Sequence, residues 1–154
     1  MFKRITLALI VVGVLAGAIS AAGNTGIVKK VHSGDLIQFG DTFVARLTGI
    51  KAPERGEALG PEVYDFTKRQ LEGQTVVLFT WTTDNTASGI VHDEKGYPFV
   101  RIQYGKQASV CFNEVLLKKG YARVDLKYLP EDLKHYIDLE KEARGKGLGI
   151  WKTR

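Results

Sequence analysis

The stretch "DLIQFGDTFVARLTGI", residues 35–50, decides the fold because it has the pattern of two strands joined by a tight turn. Apolar residues recur through both halves, and Gly40-Asp41 between them is a two-residue hairpin signal. That turn sets a register in which Asp35 is opposite Arg46. Because opposed residues of an antiparallel pair project to the same face, we expect these two side chains to be neighbours.

The predicted pair of Asp35 and Arg46 has two interpretations. It can be a structural salt bridge in the wall of the sheet, which is a common feature and weakly informative. Alternatively, the aspartate holds a metal ion and the arginine holds a phosphate. Glu54 follows closely and could direct water at a phosphate, but Lys51 occupies a position where this chemistry would favour an acid.

The rest of the chain continues the pattern of short strands and adds helices. We predict strands at 26–31, 35–39, 42–50, 74–81 and 99–104, and helices at 60–73, 111–120 and 130–147. A small closed sheet with a helix between its third and fourth strands is typical of an OB-fold. The sequence therefore predicts an α+β fold, a five-stranded OB-fold β-barrel with three α-helices.

The first 22 residues have the pattern of a secretory signal peptide. A short basic start precedes an apolar run at 5–19 and small residues at the cleavage position, so we expect cleavage after Ala22 and a domain at 23–154. A retained membrane anchor is the alternative, although the run is short for a span. Cleavage would leave a secreted or periplasmic protein without stable membrane association, and would lower the net charge from +5 to +3.

The lone cysteine, Cys111, excludes an internal disulfide and begins an apolar helical pattern, so we interpret it as a core residue.

Several segments together resemble the staphylococcal-nuclease (thermonuclease) family. They are "SGDLIQF" (33–39), "VARLTGIKAPE" (44–54), "CFNEVLLKKGYARV" (111–124) and "EARGKGLGIW" (142–151). The resemblance covers nearly all of residues 26–152. It implies an OB barrel plus three helices and Ca²⁺-dependent hydrolysis of DNA and RNA. In such a site two aspartates hold calcium, a glutamate promotes attack by water, and two arginines neutralise the phosphate.

Carried over to this sequence, the resemblance implies an incomplete catalytic set. Asp35 matches a calcium aspartate, Arg46 matches a phosphate arginine, and Glu54 matches the glutamate that acts on water. Lys51 stands where the second calcium aspartate belongs, and Tyr97 stands where the second arginine belongs. Of the catalytic residues Asp35, Arg46 and Glu54, only Asp35 is left as a metal ligand.

The positions that contact nucleotide in the family are also altered. Lys95 stands at a tyrosine position, Tyr128 matches a second tyrosine, and Leu126 replaces another. Ser33 replaces an aspartate beside the metal. The resemblance thus implies substrate binding by Arg46 together with Lys95, Tyr97 and Tyr128.

Replacing an aspartate with Lys51 removes a calcium ligand and reverses a charge. We therefore predict that the protein uses no cofactor or binds Ca²⁺ only weakly, and that the Lys51 ammonium occupies the former metal position and pairs with Asp35. His92 and Asp93, in the long loop at 82–98, are interpreted as exposed loop polarity.

Three functions follow as hypotheses. The first is an exported thermonuclease-like protein with a degenerate calcium site and weak or lost calcium-dependent activity. The second is a non-catalytic OB-fold module that binds nucleic acid or an anionic ligand. The third is a cell-envelope protein-interaction module that uses the loop at 82–98. The expected partner is single-stranded DNA or RNA, and we expect a monomer.

Overall fold

The computed structural model describes residues 24–83, 89–127 and 132–152. In these ranges the strands are β1 (Asn24–Val31), β2 (Leu36–Phe39), β3 (Phe43–Leu47), β4 (Ile50–Lys51), β5 (Thr75–Thr80), β6 (Phe99–Tyr104), β7 (Val110–Cys111) and β8 (Arg123–Val124). The α-helices are α1 (Gly60–Leu71), α2 (Phe112–Lys118) and α3 (Leu133–Gly145). The predicted signal peptide at 1–22 lies outside the described residues. Within them, no helix has the length and apolar character needed to cross a membrane.

Five of these strands form a closed barrel of mixed strand direction. From β3 the wall runs through β2, β1, β5 and β6 in antiparallel pairs, and a parallel pairing of β3 with β6 closes it. The closing pairs join Arg46 to Phe99 and Leu47 to Val100. Apolar side chains such as Ile37 fill the interior and are fully buried. The predicted α+β OB-fold, with a five-stranded barrel and three helices, is confirmed.

The hairpin of β2 and β3 differs by one residue from the predicted register. Leu36, rather than Asp35, pairs with Arg46, because the hairpin tip at 40–42 holds three residues instead of two. Gly40 adopts a φ of 56° at this tip, whereas Asp41 and Thr42 are not among the residues with positive φ. The Asp35 carbonyl accepts a hydrogen bond from the Leu47 N–H at 2.9 Å, and its side chain still reaches Arg46 from this neighbouring position.

The predicted strand at 42–50 is in fact two strands. β3 ends at Leu47, and Gly49, with a φ of 70°, turns the chain into β4. β4 leaves the barrel sheet and pairs with β8, where Lys51 is opposite Arg123. This break turns the segment that carries Lys51 and Glu54 away from the barrel wall.

The helices lie where the sequence predicts them, each shorter at its ends. α1 has Pro61 in its first turn and buries one stripe of residues against the barrel, namely Gly60, Val63, Thr67 and Leu71. Gly60 passes directly beneath the preceding loop. A Cβ atom at this residue would lie 1.8 Å from the backbone oxygen of Glu54, so the close approach of helix and loop requires glycine.

α2 is joined to the barrel by the buried side chain of Asn113. Its amide oxygen accepts a hydrogen bond from the Ile102 N–H at 3.2 Å, and its amide nitrogen donates to the Thr48 carbonyl at 3.0 Å. The same nitrogen lies 3.5 Å from the Val100 carbonyl. One polar side chain thus satisfies backbone groups of β6 and of the turn after β3.

The C-terminal segment at 149–151 packs back on the domain. Two guanidinium groups lie over the Trp151 ring, Arg144 at 4.2 Å and Arg123 at 5.4 Å from its centroid. The Ile150 N–H also donates to the Gly120 carbonyl at 2.8 Å. These contacts hold the C-terminal segment beside β8.

Candidate functional site

A groove of about 400 Å³ opens beside the seam where β3 meets β6. Its lining includes Asp35, Arg46, Ile50, Lys51, Glu54, Asp93, Glu94, Lys95, Phe99, Asp125 and Lys127. The structure therefore brings together five of the residues that the sequence indicates: Asp35, Arg46, Lys51, Glu54 and Lys95. We call this cavity the seam groove.

Asp35 lies at the base of the seam groove and is 3% exposed. Its Oδ1 accepts hydrogen bonds from the Ser33 hydroxyl at 2.9 Å and from Arg46 Nη1 at 3.1 Å, and its Oδ2 accepts from the Ala52 N–H at 3.2 Å. Burial raises the pKa of Asp35 above its ordinary value, while Arg46 and these hydrogen bonds oppose the rise. Both carboxylate oxygens are thus already used within the protein.

Arg46 forms salt bridges with two carboxylates. Its Nη1 contacts Asp35, and its Nε donates to Asp93 Oδ2 at 2.7 Å. The guanidinium is only partly exposed, which strengthens both attractions relative to a surface pair. The predicted Asp35–Arg46 pair is therefore present, and a second acid shares the arginine.

Asp93 is a site residue that the sequence analysis did not identify, and its interpretation as exposed loop polarity is wrong. Its side chain is 9% exposed. Besides holding Arg46, Asp93 Oδ1 accepts from the backbone N–H groups of Lys95 and Tyr97, each at 2.9 Å. The signal in the sequence is Asp93 followed three residues later by Gly96, a spacing typical of a turn built on an aspartate side chain.

The pKa of Asp93 is shifted in the direction that stabilises the folded protein near neutral pH. Burial tends to raise this pKa, but the hydrogen bond from Arg46 and those from the backbone of Tyr97 and Lys95 outweigh burial and lower it below 3.8. A carboxyl group whose pKa is lower in the folded than in the unfolded protein stabilises the fold fully at pH values above its unfolded pKa. This stabilisation is lost as the pH falls through the folded pKa.

We expect Asp93→Asn to lower the free energy of unfolding at neutral pH by about 1–3 kcal/mol, because an amide cannot form the ion pair with Arg46. The deficit should shrink as pH falls below the ordinary aspartate pKa, where wild-type Asp93 also loses its charge. Urea unfolding across this pH range measures the difference. Asp41→Asn is the matched control, since Asp41 is 90% exposed. A deficit independent of pH would contradict the assignment.

Lys51 does not form the predicted ion pair with Asp35. Among the described residues Asp35 has a salt bridge with Arg46, whereas the Lys51 side chain is exposed and lines the mouth of the groove. Lys51 lies close enough to Glu94 to help lower the pKa of that carboxyl, although Glu94 pairs directly with Lys127. Arg46, rather than Lys51, thus neutralises the buried aspartate.

The remaining predicted residues have different positions. Glu54 is exposed at the groove, where its charge raises the pKa of Asp35 slightly, and its N–H donates to Glu57 Oε2 at 2.8 Å. Tyr97 is half-buried and its N–H holds Asp93, but it is not part of the described lining of the groove. Tyr128 lies outside the described residues.

The charges of the seam groove are closely balanced. Its carboxylates belong to Asp35, Glu54, Asp93, Glu94 and Asp125, and its cations belong to Arg46, Lys51, Lys95 and Lys127. In the described ranges, no group of three or more His, Cys, Asp or Glu side chains is arranged to hold a metal ion. The acids are instead dispersed among cations, as at Arg46 and Lys127.

Comparison with known proteins agrees with this architecture. A family model described as "Staphylococcal nuclease homologue" matches residues 44–153, which contain most of the groove lining. An uncharacterized protein of Methanocaldococcus jannaschii is 28% identical over 153 residues, covering 82% of this chain and 70% of that protein. Since the family model spans well over half of the sequence, the chain belongs to the staphylococcal nuclease homologue family.

Proposed function

We propose that this chain is an exported thermonuclease-like protein that binds single-stranded DNA or RNA and has weak or lost calcium-dependent hydrolysis of phosphodiesters. The observation that carries the proposal is the double salt bridge of Arg46 with Asp35 and Asp93. An arginine neutralised by two carboxylates attracts a phosphate less than a free one does. Export is part of the proposal and is supported by the sequence pattern at 1–22. A monomeric state is proposed with it.

The donors in the seam groove do not fit a calcium ion. Calcium takes six to eight oxygen ligands, several of them charged. Asp35 already uses both oxygens on Arg46, Ser33 and the Ala52 N–H. Lys51 brings an ammonium to the position where the family resemblance implies a second aspartate.

Without a metal, the residues of the groove support only limited chemistry. Glu54 is exposed and can accept a proton from water, and Arg46 can contact a phosphate oxygen. Lys51 can add a positive charge, but it cannot ligate and acidify a water molecule as a metal does. Loss of one preorganised charge donor typically costs about 10²–10³ in rate, and Tyr97 brings no cation to replace the second arginine.

A second candidate is the non-catalytic module that binds nucleic acid or an anionic ligand. It is favoured by the exposed Lys51 side chain, which has no salt bridge among the described residues. The third hypothesis, an envelope interaction module, gains no support, because Asp93 in the loop at 82–98 forms a salt bridge with Arg46.

The test is cleavage of single-stranded DNA by the purified protein, with calcium and with a chelator, beside Lys51→Asp and Lys51→Gln. We expect little calcium-dependent cleavage by the wild type. Lys51→Asp restores a carboxylate and should increase calcium-dependent cleavage by about 10²-fold. Lys51→Gln is the matched control, since it removes the charge without adding a ligand. Calorimetric titration with calcium should show binding only for Lys51→Asp.

The outcomes separate the candidates. Robust cleavage by the wild type that the chelator abolishes would overturn the degenerate calcium site. Absence of cleavage by all three proteins, with retained DNA binding, would favour the non-catalytic module. It would indicate that Tyr97 and the double pairing of Arg46 also prevent catalysis. Failure of the wild type to bind DNA or RNA would refute the first candidate and would leave the second only with an anionic ligand other than nucleic acid.

A further inference from the structure

A second groove, of about 670 Å³, lies next to the seam groove and shares Lys51 with it. Its cations are Lys51, Arg123 and Lys152, and its apolar surface comes from Ala52, Pro53, Ala58, Leu59 and Ile150. The C-terminal segment that packs against Gly120 forms one side. We call this cavity the basic groove.

The cations of the basic groove are not matched by acids. Among the described residues, none of Lys51, Arg123 and Lys152 forms a salt bridge. Glu57 is the acid in the lining, and its Oε2 accepts the Glu54 N–H at 2.8 Å. Arg123 is held over the Trp151 ring, which positions its charge without neutralising it.

Two of these cations face each other across a strand pair. Lys51 is opposite Arg123 in the short ladder of β4 and β8. Like charges directly opposite in an antiparallel pair are destabilising, and an anion bound between them removes that repulsion. In the seam groove, by contrast, carboxylates outnumber cations. The electrostatics therefore favour an anion in the basic groove.

We propose that the basic groove binds a phosphate group of the same nucleic-acid strand whose neighbouring nucleotide occupies the seam groove. This inference rests on the proposed function and deepens it, because it assigns a second groove to the phosphate next to the nucleotide in the seam groove. Lys51 lies at the junction of the two grooves and contacts the strand as it passes. Arg123 and Lys152 hold the next phosphate, and the apolar surface around Pro53 and Ile150 accepts sugar and base.

The experiment measures binding of an oligothymidylate of about eight nucleotides, within the range that one OB-fold covers, by fluorescence anisotropy at several salt concentrations. Thymidine monophosphate is the short probe. The variants are Arg123→Gln and Lys152→Gln. Lys106→Gln is the matched control, because Lys106 is exposed and lies in neither described lining.

We expect each groove variant to weaken oligothymidylate binding about tenfold, and to make the slope of log affinity against log salt about 0.7 less negative. Thymidine monophosphate should bind the wild type far more weakly than the oligothymidylate does, because it cannot occupy both grooves at once. The Lys106→Gln protein should bind the oligothymidylate as the wild type does. Because Arg123 also stacks on Trp151, thermal unfolding checks that its variant is folded, and Lys152→Gln tests the inference independently of that stacking.

Three results would count against the inference, and they are distinguishable. Unchanged oligothymidylate affinity in both groove variants, with tight binding by the wild type, would overturn the basic groove and leave the proposed function intact. An equal loss of oligothymidylate affinity in Lys106→Gln would mean that binding depends only on the net charge of the protein. Absence of nucleic-acid binding by the wild type would overturn the proposed function and this inference together.

Discussion

Replacement of Asn113 by alanine is expected to lower the free energy of unfolding by about 3–5 kcal/mol. The side chain is fully buried and bonds to the Ile102 N–H and to the Thr48 carbonyl. Truncation would leave these backbone groups without their partner in a site closed to water. Since domains of this size are stable by about 5–15 kcal/mol, the variant should lose a large share of its stability. Urea unfolding measures the loss.

Thr48→Val is the control for the Asn113 variant. The Thr48 hydroxyl is buried and has no hydrogen-bond partner among the described residues, so valine, which has nearly the same shape, should leave stability unchanged or raise it slightly. The two substitutions alter adjacent buried polar groups with opposite consequences. A loss below about 1 kcal/mol for Asn113→Ala would show that its hydrogen bonds contribute little net stability.

Gly60→Ala is expected to cost about 3 kcal/mol or more, because the added Cβ would lie 1.8 Å from the backbone oxygen of Glu54. Unlike a clash with a flexible side chain, this one can be relieved only by moving helix α1 or the loop. Moving the loop shifts Pro53 and Ala58, and moving the helix shifts Leu59 at its N-terminus, and all three line the basic groove. We therefore expect weaker oligonucleotide binding as well as a lower urea midpoint.

Gly56→Ala is the matched substitution in the same loop. A Cβ at Gly56 would have no heavy atom within 4 Å, and its φ is not in the positive range. It should leave binding unchanged and stability equal or slightly higher, through the reduced freedom of the unfolded chain. Equal effects of Gly60→Ala and Gly56→Ala would show that the steric argument is wrong.

The local patterns predicted the five barrel strands and the three helices well, but the two-residue strands β4, β7 and β8 were not predicted as separate elements. The register of the β2–β3 hairpin was harder to predict. The Gly40-Asp41 pair indicated a tight turn, but a glycine in such a turn suits both two-residue and three-residue hairpin loops, so the sequence does not fix the loop length. Asp35 and Arg46 met despite the wrong register, because Asp35 is only one position from the residue opposite Arg46 and its side chain spans that offset.

The candidate site was predicted in part, and the parts that failed depend on distant segments. Asp93 reaches Arg46 across 47 residues of chain, so no local pattern joins them. Lys51 turned outward because the chain leaves the barrel at Gly49 and pairs with β8, a contact that only the tertiary structure creates. With Arg46 already holding Asp35, the predicted partner of Lys51 was occupied.

The parallel pairing of β3 with β6 also constrains when the site can exist. Arg46 and Phe99 are about 50 residues apart in the chain, and joining such distant segments costs chain entropy before any contact compensates it. Arg46 itself belongs to this pair, so its guanidinium meets Asp93 only once the ends of the sheet have joined. A partly folded chain with a complete β2–β3 hairpin therefore lacks the seam groove, and this part of the binding surface arises together with the final topology.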